Sequence, residues 1–232
     1  MKLKVKIFAD GADINEINRL SKKKFIKGFT TNPTLLEKNG VTNYKNFIKK
    51  VTQKFPKYPF SFEVVADDVD EIIKQAEKIS NLAKNINVKI PITNTKSEYM
   101  GEVISYLSNK NIKLNITAIT TFKQVKYAAT YLKGSGHFIS IFAGRIADTG
   151  RDPKPIIIKS LKLLKNKKID IIWASPRELY NIIEASKIGC NVITVTPDIL
   201  NKFDLINKNL DEYSLDTVKM FFNSAKKAKL SL

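Results

Sequence analysis

Short β-branched runs alternate along this chain with longer stretches of helical period, and the alternation repeats eight times. The runs predicted as strands are Lys4 to Ala9, Ile26 to Phe29, Phe60 to Val65, Ile86 to Ile90, Lys113 to Ile116, His137 to Phe142, Asp170 to Trp173 and Asn191 to Val195. Between them, helical period covers Ile14 to Lys22, Asn43 to Lys54, Val69 to Ala83, Tyr99 to Leu107, Thr121 to Leu132, Pro155 to Asn166 and Pro176 to Ala185. Each of these segments places apolar residues at three-to-four spacing with charges opposite, the pattern of a helix with one buried side. Strand–helix alternation implies parallel strands, because a parallel pair needs a crossover. Eight repeats in 232 residues therefore predict a closed (β/α)8 TIM barrel of the α/β class. A doubly wound open sheet is the competitor. It is weakened because Asp10-Gly11-Ala12-Asp13 stands where a glycine-rich dinucleotide turn would follow the first strand. Beyond the repeats, about 214 to 229 predicts one more amphipathic helix, with Val218, Phe221 and Phe222 on one side.

Composition narrows the class. No Pro/Gly/Ser-rich stretch marks a linker, so residues 1–232 read as one domain, and 43% hydrophobic residues suffice for a sizeable core. The single cysteine, Cys190, excludes an intramolecular disulfide framework and reads as apolar filler. The amino-terminal alternation Met1-Lys2-Leu3-Lys4-Val5-Lys6 lacks the continuous apolar core of a signal peptide, and no run is long enough to span a membrane. A cytoplasmic protein with no membrane partner is expected. A net charge of +18 raises the question of nucleic acid. Phosphate-backbone binding needs clustered cations, however, and here lysines are spread over nearly every segment, so no nucleic-acid partner is expected. Attraction of a small anionic metabolite fits the same charge.

Polar residues that interrupt or end the strands carry the chemistry. Lys89 lies within the apolar run Val88-Lys89-Ile90-Pro91-Ile92. An ammonium is disfavoured in such surroundings, and a neutral lysine can attack a carbonyl to form a Schiff base. A solvated or snorkelling lysine is the plain alternative in a chain with 40 Lys plus Arg. Asp10 ends the first strand, Thr30-Thr31-Asn32 follow the second, and Glu63 lies in the third. Asn115 and Thr117 mark the fifth, Ser140 the sixth, and Ser175 with Arg177 the turn after the seventh. In a barrel these groups converge on one mouth. Singly, each has a structural account: Asp10 or Ser175 could cap a helix, Asn32 could start a turn before Pro33, and Glu63 could be a strand-edge charge.

Four ordered stretches resemble a known family. Gly28-Phe29-Thr30-Thr31-Asn32-Pro33-Thr34-Leu35-Leu36 is similar to the transaldolase signature, and Val88-Lys89-Ile90-Pro91-Ile92-Thr93 to its Schiff-base segment. Ser140-Ile141-Phe142-Ala143-Gly144-Arg145-Ile146 resembles the sixth-strand motif, and Ala174-Ser175-Pro176-Arg177 the phosphate-binding turn. The resemblance covers small transaldolases and fructose-6-phosphate aldolases, and it implies a class I aldolase-type barrel that uses neither metal nor cofactor on ketose and aldose phosphates. It implies Lys89 as nucleophile, Asp10 as acid/base, and Glu63 with Thr117 as holders of a relay water. Thr30, Asn32, Asn115, Ser140 and Phe142 would meet the three-carbon unit, and Arg145, Ser175 and Arg177 the phosphate. Glu63 and Phe142 resemble transaldolases, whereas the aldolases carry glutamine and tyrosine at these positions. A homo-oligomer with its tail helix on a neighbouring subunit is also implied, against packing within one subunit.

Several positions depart from the family pattern, among them Gly11, Phe29, Asn94 to Glu98 and Pro176, and they surround the catalytic groups without removing one. His137, the only histidine, has no ligand partners at metal spacing, and Trp173 reads as packing. Arg151, in the turn-rich loop Asp148 to Pro153, could add a cation to the phosphate pocket, and Asp152 could cap a helix instead.

Overall fold

A computed structural model describes residues 3–230, so Met1 and Lys2 of the amino-terminal alternation lie outside the described residues. Eight parallel strands close into a barrel in sequence order, each paired with its successor and the last with the first. They are β1 (Lys6–Asp10), β2 (Ile26–Thr30), β3 (Phe60–Glu63), β4 (Ile86–Pro91), β5 (Leu114–Ile119), β6 (His137–Ile141), β7 (Ile169–Trp173) and β8 (Val192–Val195). The helices are α1 (Ile14–Ser21), α2 (Pro33–Lys38), α3 (Tyr44–Lys54), α4 (Val69–Ser80), α5 (Gly101–Asn109), α6 (Phe122–Tyr131), α7 (Ala143–Ala147), α8 (Lys154–Leu164), α9 (Tyr180–Lys187), α10 (Pro197–Leu200) and α11 (Leu210–Lys227). The predicted TIM barrel is the observed fold.

Strand alternation divides the interior into two cores. Outward residues such as Ile7, Phe29, Phe62, Val88, Ile90, Ile116, Ile141, Trp173 and Val195 belong to the large cluster between barrel and helices. A smaller cluster of Phe8, Ile172, Ala174 and Val192, with Phe138 and Phe142 against it, fills the lumen. Phe8 meets Phe138 edge-to-face with ring centroids 5.7 Å apart, although their strands are not neighbours. Room for the Phe8 ring comes from Gly28, where a Cβ would lie 2.7 Å from it. The lumen is thus plugged by aromatics, leaving polar residues at the carboxyl ends of the strands.

Helix starts follow local capping chemistry. Asp13 accepts from the backbone of Asn15 and Glu16 at the start of α1, and Thr121 forms a capping box with Gln124 at α6. Two predicted starts move by two residues or more toward the carboxyl terminus. Tyr99 pairs with Thr93 in an antiparallel bridge, so α5 begins at Gly101. Ser175 takes a left-handed φ of 57°, and Asn181 Oδ1 collects the amides of Arg177 and Glu178, so α9 begins at Tyr180 instead of Pro176. Ser175 is therefore not a helix cap. The tail helix begins four residues earlier than expected, capped by Asn209, and buries none of its residues, which corrects the packing within one subunit considered for Val218, Phe221 and Phe222.

Candidate active site

The parallel register brings the polar groups together. Glu63 stands opposite Lys89, Lys89 opposite Asn115, and Pro91 opposite Thr117, while Asp10 stands opposite Thr30. Lys89 is 6% exposed, with Nζ 2.7 Å from Glu63 Oε2 and donating to the Thr31 carbonyl at 2.8 Å. The cation expected to be stranded among apolar neighbours is therefore paired. Val88 and Ile90 face the helix layer and Lys89 faces the lumen, so the apolar flanks in the sequence belong to the opposite side of the strand. The Tyr44 hydroxyl donates to the Glu63 carbonyl at 2.9 Å and fixes the backbone beneath the carboxylate.

Asp10 accepts a hydrogen bond from Thr30 Oγ1 at 2.7 Å, and Thr30 Oγ1 lies 2.5 Å from Thr194 Oγ1 on β8. Burial raises the Asp10 carboxyl above its ordinary range, the Lys89 charge and the Thr30 hydroxyl draw it down, and the Glu63 charge pushes it up again. Burial and the Lys89 charge thus act on this proton in opposite senses, and burial is the larger.

Asn115 is wholly enclosed, its Nδ2 donating to Ser61 Oγ at 3.1 Å and its Oδ1 accepting from Ser140 Oγ at 2.7 Å. Each of its amide ends is already bonded once, so the side chain ties β3, β5 and β6 together besides facing the lumen. Thr117 Oγ1 and Thr31 Oγ1 are buried without a hydrogen-bond partner among the described residues. The β5–β6 register slips between Ile116 and Ile119, where Ala118 takes a φ of 59°, a bulge beside the site at a residue type that rarely adopts it. Asn32 Oδ1 caps α2 by accepting from the Leu35 amide at 3.0 Å, leaving its Nδ2 uncommitted by this bond.

At the rim, Arg177 Nε donates to Asp148 Oδ1 at 2.9 Å and Nη2 donates to Oδ2. The Arg177 bonds hold the Asp148 carboxyl below its usual range, and the Arg145 charge adds to this. The Ser175 turn packs on Gly144 so tightly that a Cβ there would lie 1.6 Å from the Ser175 carbonyl oxygen. Only glycine lets the turns after β6 and β7 approach and bring Arg145 and Arg177 to one side. Arg151 instead donates to Thr149 at 3.0 Å and lines, with Arg177 and Trp173, a cavity of about 280 Å³ that neither Arg145 nor Ser175 borders. Among the described residues no His, Cys, Asp and Glu group could hold a metal ion, and no helix is long and apolar enough to cross a membrane.

The transaldolase/fructose-6-phosphate aldolase family model matches residues 7–232, which take in every group described above. The chain belongs to this family. It is 34% identical over 217 residues to a probable transaldolase of Sulfurihydrogenibium sp. (strain YO3AOP1), covering 91% of this chain and 96% of that one. A probable transaldolase of Methanococcus vannielii is 32% identical over 214 residues, covering 91% and 94%. Among solved structures, 3-hexulose-6-phosphate synthase from Salmonella typhimurium superimposes with a TM-score of 0.60 at 13% identity, covering 85% of this chain and 91% of that one. At that identity the likeness concerns the barrel alone. The family match spans Lys89, Glu63 and Asp10, which the barrel brings to one end of its strands. Three groups at the site escaped the sequence reading: Ser61, Thr194 and the anionic partner Asp148. Ser61 and Thr194 lie inside strand runs where Ser or Thr reads as ordinary filler, and Asp148 reads as a turn former.

Proposed function

We propose that the protein transfers a dihydroxyacetone unit from a ketose phosphate, such as fructose 6-phosphate or sedoheptulose 7-phosphate, to an aldose phosphate through a Schiff base on Lys89. The observation that carries this reading is the pairing of buried Lys89 with half-buried Glu63 at the carboxyl ends of parallel strands, with Asp10 within electrostatic reach. Glu63, 2.7 Å away, takes a proton from the Lys89 ammonium. The free amine adds to the C2 carbonyl, and loss of water leaves an iminium. Asp10 accepts the C4 hydroxyl proton as the C3–C4 bond breaks, the bonding pair flows into the iminium, and an aldose phosphate leaves. The resulting enamine attacks the acceptor aldehyde through C3, Asp10 returns its proton to the new alkoxide, and water hydrolyses the product from Lys89. Protons, water and the two sugars balance this scheme without a cofactor.

Glu63 and Thr117, whose buried hydroxyl has no partner among the described residues, hold the water exchanged in imine formation. The Asn32 amide and Thr30 border the three-carbon unit, with Asn115 and Ser140 forming a bonded wall behind it. Arg145, Ser175 and Arg177 bind the phosphate, for which Arg177 offers the donors not turned to Asp148. Phe142 supplies no proton to the enamine, which favours transfer over the release expected of a fructose-6-phosphate aldolase. We further propose a cytoplasmic homo-oligomer that works in carbohydrate metabolism on the substrates of the pentose phosphate pathway.

Borohydride reduction in the presence of fructose 6-phosphate, followed by peptide mapping, tests this function. The expected product carries one reduced dihydroxyacetone unit on Lys89 and none in Lys89→Ala. Folded protein that gains no adduct with any of several ketose phosphates sinks the proposal.

A further inference from the structure

Thr194 lies on β8, 6% exposed, and its hydroxyl meets Thr30 Oγ1 at 2.5 Å. Thr30, 4% exposed, in turn meets Asp10 Oδ1 at 2.7 Å. Three side chains from β1, β2 and β8 therefore form one chain of hydrogen bonds that ends on a carboxylate. Its direction follows from counting protons. A hydroxyl has one proton, and an ionised carboxylate can only accept, so the Thr30 proton goes to Asp10. The Thr30 oxygen must then accept from Thr194, whose hydroxyl has no other side-chain partner among the described residues. With the Thr194 donor in place, the Thr30 hydroxyl is held toward Asp10 and its oxygen is polarised, which strengthens its own donation.

We propose that Thr194 is a positioning residue for the reaction, acting through Thr30 to orient Asp10 and to favour its ionised form. The inference rests on the acid/base role of Asp10 proposed above. Other groups face Asp10 as well. Lys89 on β4 favours its charge and Glu63 on β3 opposes it. Asp13 before α1, Glu16 on α1, Lys38 at the end of α2 and Asp198 on α10 border the cavity that Asp10 shares, about 300 Å³ in volume. None of these is changed when the Thr194 hydroxyl is removed, so the relay can be tested by itself.

The test compares pH profiles of kcat/KM for transfer from fructose 6-phosphate to erythrose 4-phosphate in the full-length protein, with the thermal midpoint recorded in parallel. Thr194→Val removes the donor at nearly constant volume. Loss of donation disfavours the carboxylate, so the acidic limb is expected to move to higher pH, by about half a unit to one unit. Thr194→Ser, which keeps the hydroxyl, is expected to return the limb to the wild-type position. Thr30→Val cuts the same chain nearer to Asp10 and is expected to move the limb at least as far, so it supplies the answer if Thr194→Val does not fold. An acidic limb unmoved in the folded variants, with only the thermal midpoint lowered, makes the residue merely structural and overturns the inference. Asp10→Asn separates the two levels. If that variant loses activity by about a hundredfold or more while the limb stays unmoved in Thr194→Val, the inference alone fails. If Asp10→Asn remains active, the role of Asp10 fails and the inference falls with it.

Discussion

Phe142 follows β6 and packs against the luminal cluster of Phe8, Ile172, Ala174 and Val192, and it has no proton to give. In the proposed mechanism, an enamine formed beside it would persist until an acceptor aldehyde arrives. Phe142→Tyr adds a hydroxyl at this point, and a positioned acid typically contributes 10²- to 10⁴-fold. Without acceptor, the variant is expected to release dihydroxyacetone from fructose 6-phosphate roughly tenfold or more faster than the wild type. Free dihydroxyacetone measured by an enzyme-coupled assay decides the matter, and equal release by both proteins removes this role from Phe142. Phe142 was readable only through the family resemblance, whereas Lys89 and Asp10 stood out because they break a pattern: Lys89 is a cation in an apolar run, and Asp10 a carboxylate at a strand end. Thr194 breaks nothing. In Val192-Ile193-Thr194-Val195 a threonine is as good a strand former as its neighbours, and only barrel closure, which seats β8 beside β1, aims its hydroxyl at Thr30. The pairing of Lys89 with Glu63 was hidden for the same reason, since neighbouring-strand register is not a local property of the chain.

At the scale of elements, His137 joins β5 to β6 and to the loop before β6. Its Nδ1 accepts from the Leu114 amide at 3.1 Å, which fixes the neutral tautomer with Nε2 donating to the Lys133 carbonyl at 2.7 Å. A second proton would point at the Leu114 N–H. Burial, more than the nearby Lys113 charge, lowers the folded-state pKa below 6.5, while the Lys133 carbonyl opposes this. Because the folded value is the lower one, the unfolded chain takes up the proton first as pH falls. Stability from this group is complete above about 6.5 and declines below it until the folded value is reached, at no more than about 1.4 kcal/mol per pH unit. His137→Gln keeps an acceptor and a donor but does not titrate. Its urea midpoint is expected to fall less than that of the wild type between pH 7.5 and pH 5, and parallel curves would exclude this latch. Elements with two or more turns or a full alternation were legible. The short helices α2, α7 and α10 were not, because four to six residues cannot display a period, and the end of β5 and the start of α5 moved where tertiary ties, the Ala118 bulge and the Thr93–Tyr99 bridge, intervened.

At the scale of the whole molecule, α11 stands apart from the barrel logic. Its 18 residues extend about 27 Å, and none is buried. Leu215, Val218, Phe221, Phe222 and Ala225 recur at three-to-four spacing, and Val218, Phe221 and Phe222 are 60%, 63% and 67% exposed. Full burial of a phenylalanine side chain is worth about 1.5–3 kcal/mol, so leaving both rings in water forgoes a large share of a typical domain's net stability. A surface of this kind calls for a partner, and a second copy of the chain meets the need in the proposed homo-oligomer. Charge works against association, since each copy brings a net +18, and the apolar stripe must outweigh that repulsion. Assembly is therefore expected to tighten with salt, the opposite of an association driven by ion pairs. Sedimentation at micromolar concentration should find an oligomer in the wild type, strengthened between low and moderate ionic strength. Phe221→Ser combined with Phe222→Ser should give a folded monomer, because neither ring supports the barrel. A monomeric wild type, or an oligomer unchanged by the double substitution, would remove α11 as the contact.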